Sequence, residues 1–172
     1  INNAGGSLNV ATMAVAGPSF SNAGGTLNVS NSFSANVGQL DNTGGKLNAG
    51  SLNIATSADL INTDGVLTSA TDANLTVGGK TENTRGSISA AGALTANVAE
   101  ATISNSGTLA SNQALTLNTS SLENTGGSIQ SAQAGVQLGV TNALTNGTGG
   151  SINAATDLGI QAGSLANGGS LR

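Results

Sequence analysis

Apolar and polar positions alternate in short runs along this chain. In Ser7-Leu8-Asn9-Val10, Thr26-Leu27-Asn28-Val29 and Lys46-Leu47-Asn48-Ala49 the second and fourth residues are apolar and the other two polar. A period of two sends alternate side chains to opposite faces, so each run predicts a half-buried strand with Leu and Val inward and Ser, Thr, Lys and Asn outward. The pattern returns at Ser87-Ile88-Ser89-Ala90, Ser128-Ile129-Gln130-Ser131 and Ser151-Ile152-Asn153-Ala154. A second run follows as two apolar residues one position apart: Met13 and Val15, Phe33 and Ala35, Leu52 and Ile54, Leu75 and Val77, Leu94 and Ala96, Leu115 and Leu117, Val136 and Leu138, Leu158 and Ile160. A third apolar position is filled by Ile1, Phe20, Leu40, Leu60, Ile103, Leu122, Leu144 and Leu165, with the polar Thr81 among them.

Two residues beyond each third position stands an asparagine: Asn3, Asn22, Asn42, Asn62, Asn83, Asn105, Asn124, Asn146 and Asn167. A glycine closes the turn that follows, at Gly6, Gly25, Gly45, Gly65, Gly86, Gly107, Gly127, Gly150 and Gly169, and an aliphatic residue lies two positions further on. The unit, apolar-x-Asn-x-Gly-Gly-x-aliphatic, recurs about every twenty residues and gives nine copies. An array of that period predicts a solenoid whose units each touch only their neighbours. With three short strands per unit, the expected fold is all-β, a parallel β-helix of about nine coils around a narrow aliphatic interior. A helical reading fails, because apolar residues do not recur at i, i+3, i+4 and i+7 and paired glycines destabilise a helix by roughly 1 kcal/mol each. A leucine-rich horseshoe would need several more leucines per unit on a fixed frame.

The motif residues have a structural explanation. A turn between sheets needs residues at positive φ or without a Cβ, which glycine supplies. The asparagine amide can bond the turn backbone and stack on its equivalent one coil away, as amide ladders do between stacked parallel strands. The competing reading, an exposed polar row for a sugar, lacks an aromatic platform. Copies that depart from the motif are Asn62-Thr63-Asp64-Gly65, Asn83-Thr84-Arg85-Gly86, Asn105-Ser106-Gly107, the stretch 146–150 and Asn167-Gly168-Gly169. Spacing also lengthens between Leu67 and Leu75, Ala96 and Ile103, and Ile129 and Val136, which predicts loops leaving the shaft near residues 68–74, 97–102 and 130–135.

Composition narrows the chemistry. Only 1% of residues are aromatic and 7% charged, with 26 Gly, no Cys and no His. Stacked Leu, Ile, Val and Ala must therefore make the interior. A formal net charge of -4 leaves no basic surface for phosphates, so nucleic acid is not an expected partner. Without Cys and His there is no disulfide framework and the usual transition-metal ligands are missing. No apolar run approaches the ~20 residues of a membrane span. Both ends fall inside a repeat, which predicts a single repeat region, residues 1–172, cut from a longer filament; such a piece would associate end to end through its open strand edges.

Site motifs are few. Gly79-Lys80-Thr81 imitates the end of a phosphate-binding loop, but the glycine required five residues earlier is Asn74, and a turn is expected there. Hydrolases built on β-helices need clustered carboxylates. Asp41, Asp59, Asp64, Asp72 and Asp157 fall in different coils and at different places in the repeat. No enzyme, cofactor or metal is therefore expected, and Asp64 and Asp72 read as flanking a solvated connection. Thr-x-Thr, the unit of an ice-binding face, does not occur. Four Asn-x-Ser/Thr sequons, at Asn28, Asn74, Asn118 and Asn146, are expected by chance in a chain this rich in Asn, Ser and Thr.

The Asn-x-Gly-Gly-x-Leu core, the period and the Ala/Ser/Thr/Asn/Gly composition resemble the repeats of the filamentous haemagglutinin family. Those are large exoproteins of Gram-negative two-partner secretion, which include adhesins and contact-dependent growth-inhibition toxins. The resemblance spans the whole chain and implies a right-handed parallel β-helix that forms the shaft of a secreted, cell-surface filament. It also implies export through an outer-membrane partner transporter in an unfolded state. The alternative is an adhesive module whose loops contact a receptor or glycan on a host or neighbouring cell.

Overall fold

The computed structural model describes residues 1–102 and 106–172. Among them there is no helix, and every strand pairing is parallel. The chain winds as a β-solenoid. Its first strand stacks residue on residue: Leu8 pairs with Leu27, Leu27 with Leu47, Leu47 with Leu67, Leu67 with Ile88, Ile88 with Leu109, Leu109 with Ile129, Ile129 with Ile152 and Ile152 with Leu171. Nine such rungs bound eight full turns, so the solenoid has about eight coils where nine motif copies were counted. At ~4.8 Å between paired strands, the rod is roughly 40 Å long.

Each coil places three strands around the interior. The inward residues of the first strand, Leu27, Leu47, Leu67, Ile88, Ile129 and Ile152, are fully buried. Phe20 and Phe33, the two aromatic residues, lie against each other with ring centroids 5.7 Å apart at 44°. The interior runs without interruption from Val15 to Ile152. Leu8, Val10 and Met13 in the first coil, and Leu158, Ile160 and Leu171 in the last, are only partly buried. They have a neighbouring coil on one side only.

The second strand differs from the expected register. Ala73 and Leu75, not Leu75 and Val77, occupy the columns of Leu52 and Ile54, since Leu52 pairs with Ala73 and Ile54 with Leu75. Val77 belongs to a third inward column with Val37, Thr56, Val98, Thr119 and Val140. The spacing from Leu67 to the next inward residue is therefore ordinary, and no long loop leaves there. Residues 68–69 and 73–74 are strand, and 97–102 lie inside the strand Leu94–Thr102. The irregular connections in these stretches are the short 70–72 and the longer 132–135, the latter between the strands Ser128–Ser131 and Val136–Asn146. Gly79-Lys80-Thr81, expected as a turn, is part of the strand Ala73–Glu82.

The third strand also needs one correction. Ala101 pairs with Thr81 on one side and Leu122 on the other, so Ala101 holds the column position assigned to Ile103. Ile103 itself lies outside the described residues.

Four polar residues in inward columns sit at corners, where the chain must turn between strands. Ser69 Oγ donates to the Asp72 carbonyl at 2.7 Å, Ser111 Oγ to Gln113 at 2.6 Å, Thr56 Oγ1 to Ala58 at 2.8 Å and Thr119 Oγ1 to Ser121 at 2.9 Å. Short hydroxyl side chains bond nearby backbone in this way and so hold a bend that an aliphatic residue would leave unsatisfied. Differences in coil length are absorbed at the same corners, as the register shifts between Val29 and Ser32, Val77 and Lys80, and Val140 and Ala143 show.

The opposed faces of the first strand give a direct check of register. Lys46 is exposed, whereas Leu47 is fully buried between Leu27 and Leu67. Lys46→Asp is expected to change stability by no more than about 0.5 kcal/mol. Leu47→Asp, which buries an unpaired carboxylate, is expected to cost several kcal/mol or to open the coil. Denaturant melts of the two variants measure the difference.

Candidate functional site

The polar arrangement that recurs from coil to coil among the described residues is the asparagine turn. Asn22, Asn42, Asn62, Asn83, Asn124 and Asn146 are fully buried; Asn3 is half-buried and Asn167 exposed in the end coils. In the turns at Asn22, Asn42 and Asn62, the amide N–H of Gly25, Gly45 or Gly65 donates to the asparagine carbonyl at 2.9–3.0 Å. The residue before that glycine has positive φ, 63° at Gly24 and 60° at Gly44, as the third residue of a type II turn requires.

The two glycines do different jobs. Asp64, Arg85 and Ser106 take the first position, with φ of 57°, 54° and 72°. The second glycine is never replaced. A Cβ on Gly45 would meet the Asn22 carbonyl oxygen inside 3.0 Å, and Gly25, Gly65, Gly86 and Gly150 face the same kind of contact with the coil before them. Their requirement is close backbone approach, not a positive φ.

The buried amides form a directed ladder. Asn3 Nδ2 donates to Asn22 Oδ1 at 2.7 Å, Asn22 to Asn42 at 2.8 Å, Asn42 to Asn62 at 2.7 Å and Asn62 to Asn83 at 2.7 Å. A second run links Asn124 to Asn146 and Asn146 to Asn167, both at 2.8 Å. The other amide hydrogen goes to backbone, as from Asn42 Nδ2 to the Val66 carbonyl at 3.1 Å. Asn105, expected as a rung, lies outside the described residues. Among those described, Asn83 Nδ2 donates to the Thr108 carbonyl at 2.7 Å, and the buried Asn124 Oδ1 has no partner.

The remaining polar candidates stay apart. Asp64 binds Arg85 through two bonds of 2.7 Å, so the guanidinium holds the Asp64 carboxyl below its ordinary pKa and Arg85 is raised in turn. Asp72, paired with Asp64 in the sequence reading, accepts instead from the Ala93 amide at 2.8 Å, and Asp59 accepts from the Lys80 amide at 2.8 Å. Asp41 accepts from Thr43 at 2.9 Å. Burial pushes the Glu82 carboxyl up, but hydrogen bonds from Lys80 and Thr84, with the Lys80 charge, outweigh it and leave its pKa lowered. No group of three or more metal-ligating side chains occurs among the described residues.

Of the sequons, Asn146 is buried in the ladder. Asn28 and Asn118 are exposed in amide rows, donating to Asn9 at 2.7 Å and Asn97 at 2.9 Å, and Asn74 is exposed on its strand. A shallow groove of about 850 Å³ runs beside Asn97 and Asn118 over a floor that includes Val98 and Val140, and no ionisable side chain lines it.

Stacked parallel coils with an internal polar ladder define a repeat protein of the β-solenoid class. The sequence pattern of the haemagglutinin repeat matches residues 2–99, 72–140 and 132–172, and the chain belongs to that family. The family is one of structural and adhesive proteins and is associated with two-partner secretion. Searches of curated proteins and of solved structures gave no match. No helix among the described residues is long and apolar enough to cross a membrane.

The ladder predicts unequal costs for one substitution. Asn42→Ala removes the acceptor of Asn22 and the donor of Asn62 from a buried site, at about 1–3 kcal/mol for each group left unpaired. Asn28→Ala, in an exposed row, is expected to stay within about 0.5 kcal/mol. Asn124→Ala should fall between, since its Oδ1 has no donor to lose. Thermal or denaturant melts rank the three.

The glycines predict a second ranking. Gly44→Ala, at a position where the chain elsewhere carries Asp64 and Arg85, should cost about 1–2 kcal/mol. Gly45→Ala must push two coils apart and should cost more. Equal melting temperatures for the two variants would show that backbone approach does not govern the turn.

Proposed function

We propose that this chain is a length of shaft from a secreted, cell-surface filament, holding a functional domain away from the membrane that bears it. The carrying observation is the constancy of the stack. The first-strand column keeps its register from Leu8 to Leu171, with coil-length differences confined to corners. Such a rod extends by one strand spacing for every repeat added, so its length follows from copy number. The family's association with two-partner secretion supports export through an outer-membrane transporter of a Gram-negative cell.

The alternative, an adhesive module, rested on loops near 68–74, 97–102 and 130–135, and the first two are largely strand. Two pairs of ionisable groups on the lateral surface engage each other, Asp64 with Arg85 and Lys80 with Glu82. The two readings separate in a binding assay with the folded 172-residue chain on a glycan array and on intact cells. A shaft gives no saturable binding at micromolar concentration. Saturable binding that is lost on heating would replace the shaft reading with the adhesive one.

A further inference from the structure

We propose that the solenoid has a weak interior point in the strands that span residues 87–102, and that these strands open before those of the coils on either side. Three observations converge on the same place.

The first is the thinning of the interior. In the third-strand column, Leu40 and Leu60 are followed by Thr81 and Ala101 before Leu122 and Leu144 resume. The inward residues of the coil starting at Ser87 are Ile88, Ala90, Leu94, Ala96, Val98 and Ala101. Their counterparts in the coil starting at Lys46 are Leu47, Ala49, Leu52, Ile54, Thr56 and Leu60. Less aliphatic surface is buried per coil here, and in a stack of nearest-neighbour units that loss falls on the two interfaces of this coil.

The second is an unsatisfied hydroxyl. Thr81 is 4% exposed and its Oγ1 has no hydrogen-bond partner. Unlike Thr56 and Thr119, it sits in the aliphatic column and not at a corner where a carbonyl could receive it. A buried hydroxyl without a partner weakens the state that buries it.

The third is backbone conformation. Arg85 and Ser106, on either side of this coil, hold the left-handed region without being glycine. Arg85 also bonds backward to Asp64, so its tie strengthens the coils before Ser87.

The proposal concerns the solenoid itself and holds whatever the shaft carries. Native-state hydrogen exchange, read by mass spectrometry on the intact 172-residue chain, tests it. Fraying from exposed ends gives protection that rises steadily toward the middle; a weak interior coil gives a local maximum of exchange. Amides in 87–102 are expected to exchange at least about tenfold faster than those in both 46–61 and 128–140. Uniform protection, or a gradient from the ends with no interior maximum, overturns the proposal. Thr81→Val supplies the second arm, because it removes the unpaired hydroxyl with little change of shape. Exchange in 87–102 should slow about fivefold while 26–41 is unchanged. A folded variant whose exchange in 87–102 does not slow overturns the assignment of weakness to this column.

Discussion

Among the described residues every strand pairs with strands of neighbouring coils, so no coil satisfies its own strands. The turns share the dependence: each closes with an internal bond, as from Gly45 to Asn42, but Gly24 also donates to Thr43, Gly44 to Thr63 and Asp64 to Thr84, each across one coil. An unpaired buried backbone group costs as much as a lost hydrogen bond, so a coil is stable only with coils beside it. The same constraint dictates residue identity. Once backbones must stack in register, each side chain meets its own kind directly above and below, and a column tolerates only residues that pack or bond with their repeats. Leu on Leu satisfies this by dispersion, and Asn on Asn by an amide that donates in one direction and accepts from the other.

Close stacking also separates two uses of glycine that look alike in sequence. The first glycine of the turn answers a local demand on φ, and a short or flexible side chain can meet that demand at moderate cost. Arg85 and Asp64 do so at adjacent turns, and their outward side chains then bond each other. The second glycine answers a demand from another coil, whose carbonyl occupies the space of a Cβ. No local compensation exists for that contact, which holds the second position to glycine at Gly25, Gly45, Gly65, Gly86 and Gly150, while the first position varies.

Much of the architecture was legible because stacking writes itself into the sequence as period. The first-strand column was read correctly throughout, since one Leu or Ile stands at a fixed distance from each glycine. The second strand was misread at residues 73–77. Ala73 is the inward residue there, and alanine carries too little apolar signal to compete with Leu75 and Val77. The column of Val37, Thr56 and Thr119 went unseen because two of its members are polar, and only the corner geometry shows that their hydroxyls bond the carbonyls of Ala58 and Ser121. Ala101 was passed over for Ile103 for the same reason as Ala73. Polar residues facing inward at corners, and alanines in leucine columns, are decided by three-dimensional space and not by hydropathy.

The distribution of charge bears on what such a rod can do. Catalysis or ion binding needs several polar groups converging on one point, and a solenoid can supply them only where neighbouring coils carry reactive residues in adjacent columns. Here four of the five aspartates are consumed singly in holding one coil to the next or in fastening a turn. Asp59 accepts from the Lys80 amide, Asp72 from the Ala93 amide, Asp64 binds Arg85 and Asp41 binds Thr43. Gly79 and Gly92 make room for the first two, since a Cβ at either would meet the carboxylate inside 3.0 Å. A carboxylate fixed by a backbone N–H from the adjacent coil has spent part of its hydrogen-bonding capacity on the stack. What remains variable from coil to coil is a surface made mostly of Asn, Ser, Thr and Gln, and what accumulates with every added coil is length.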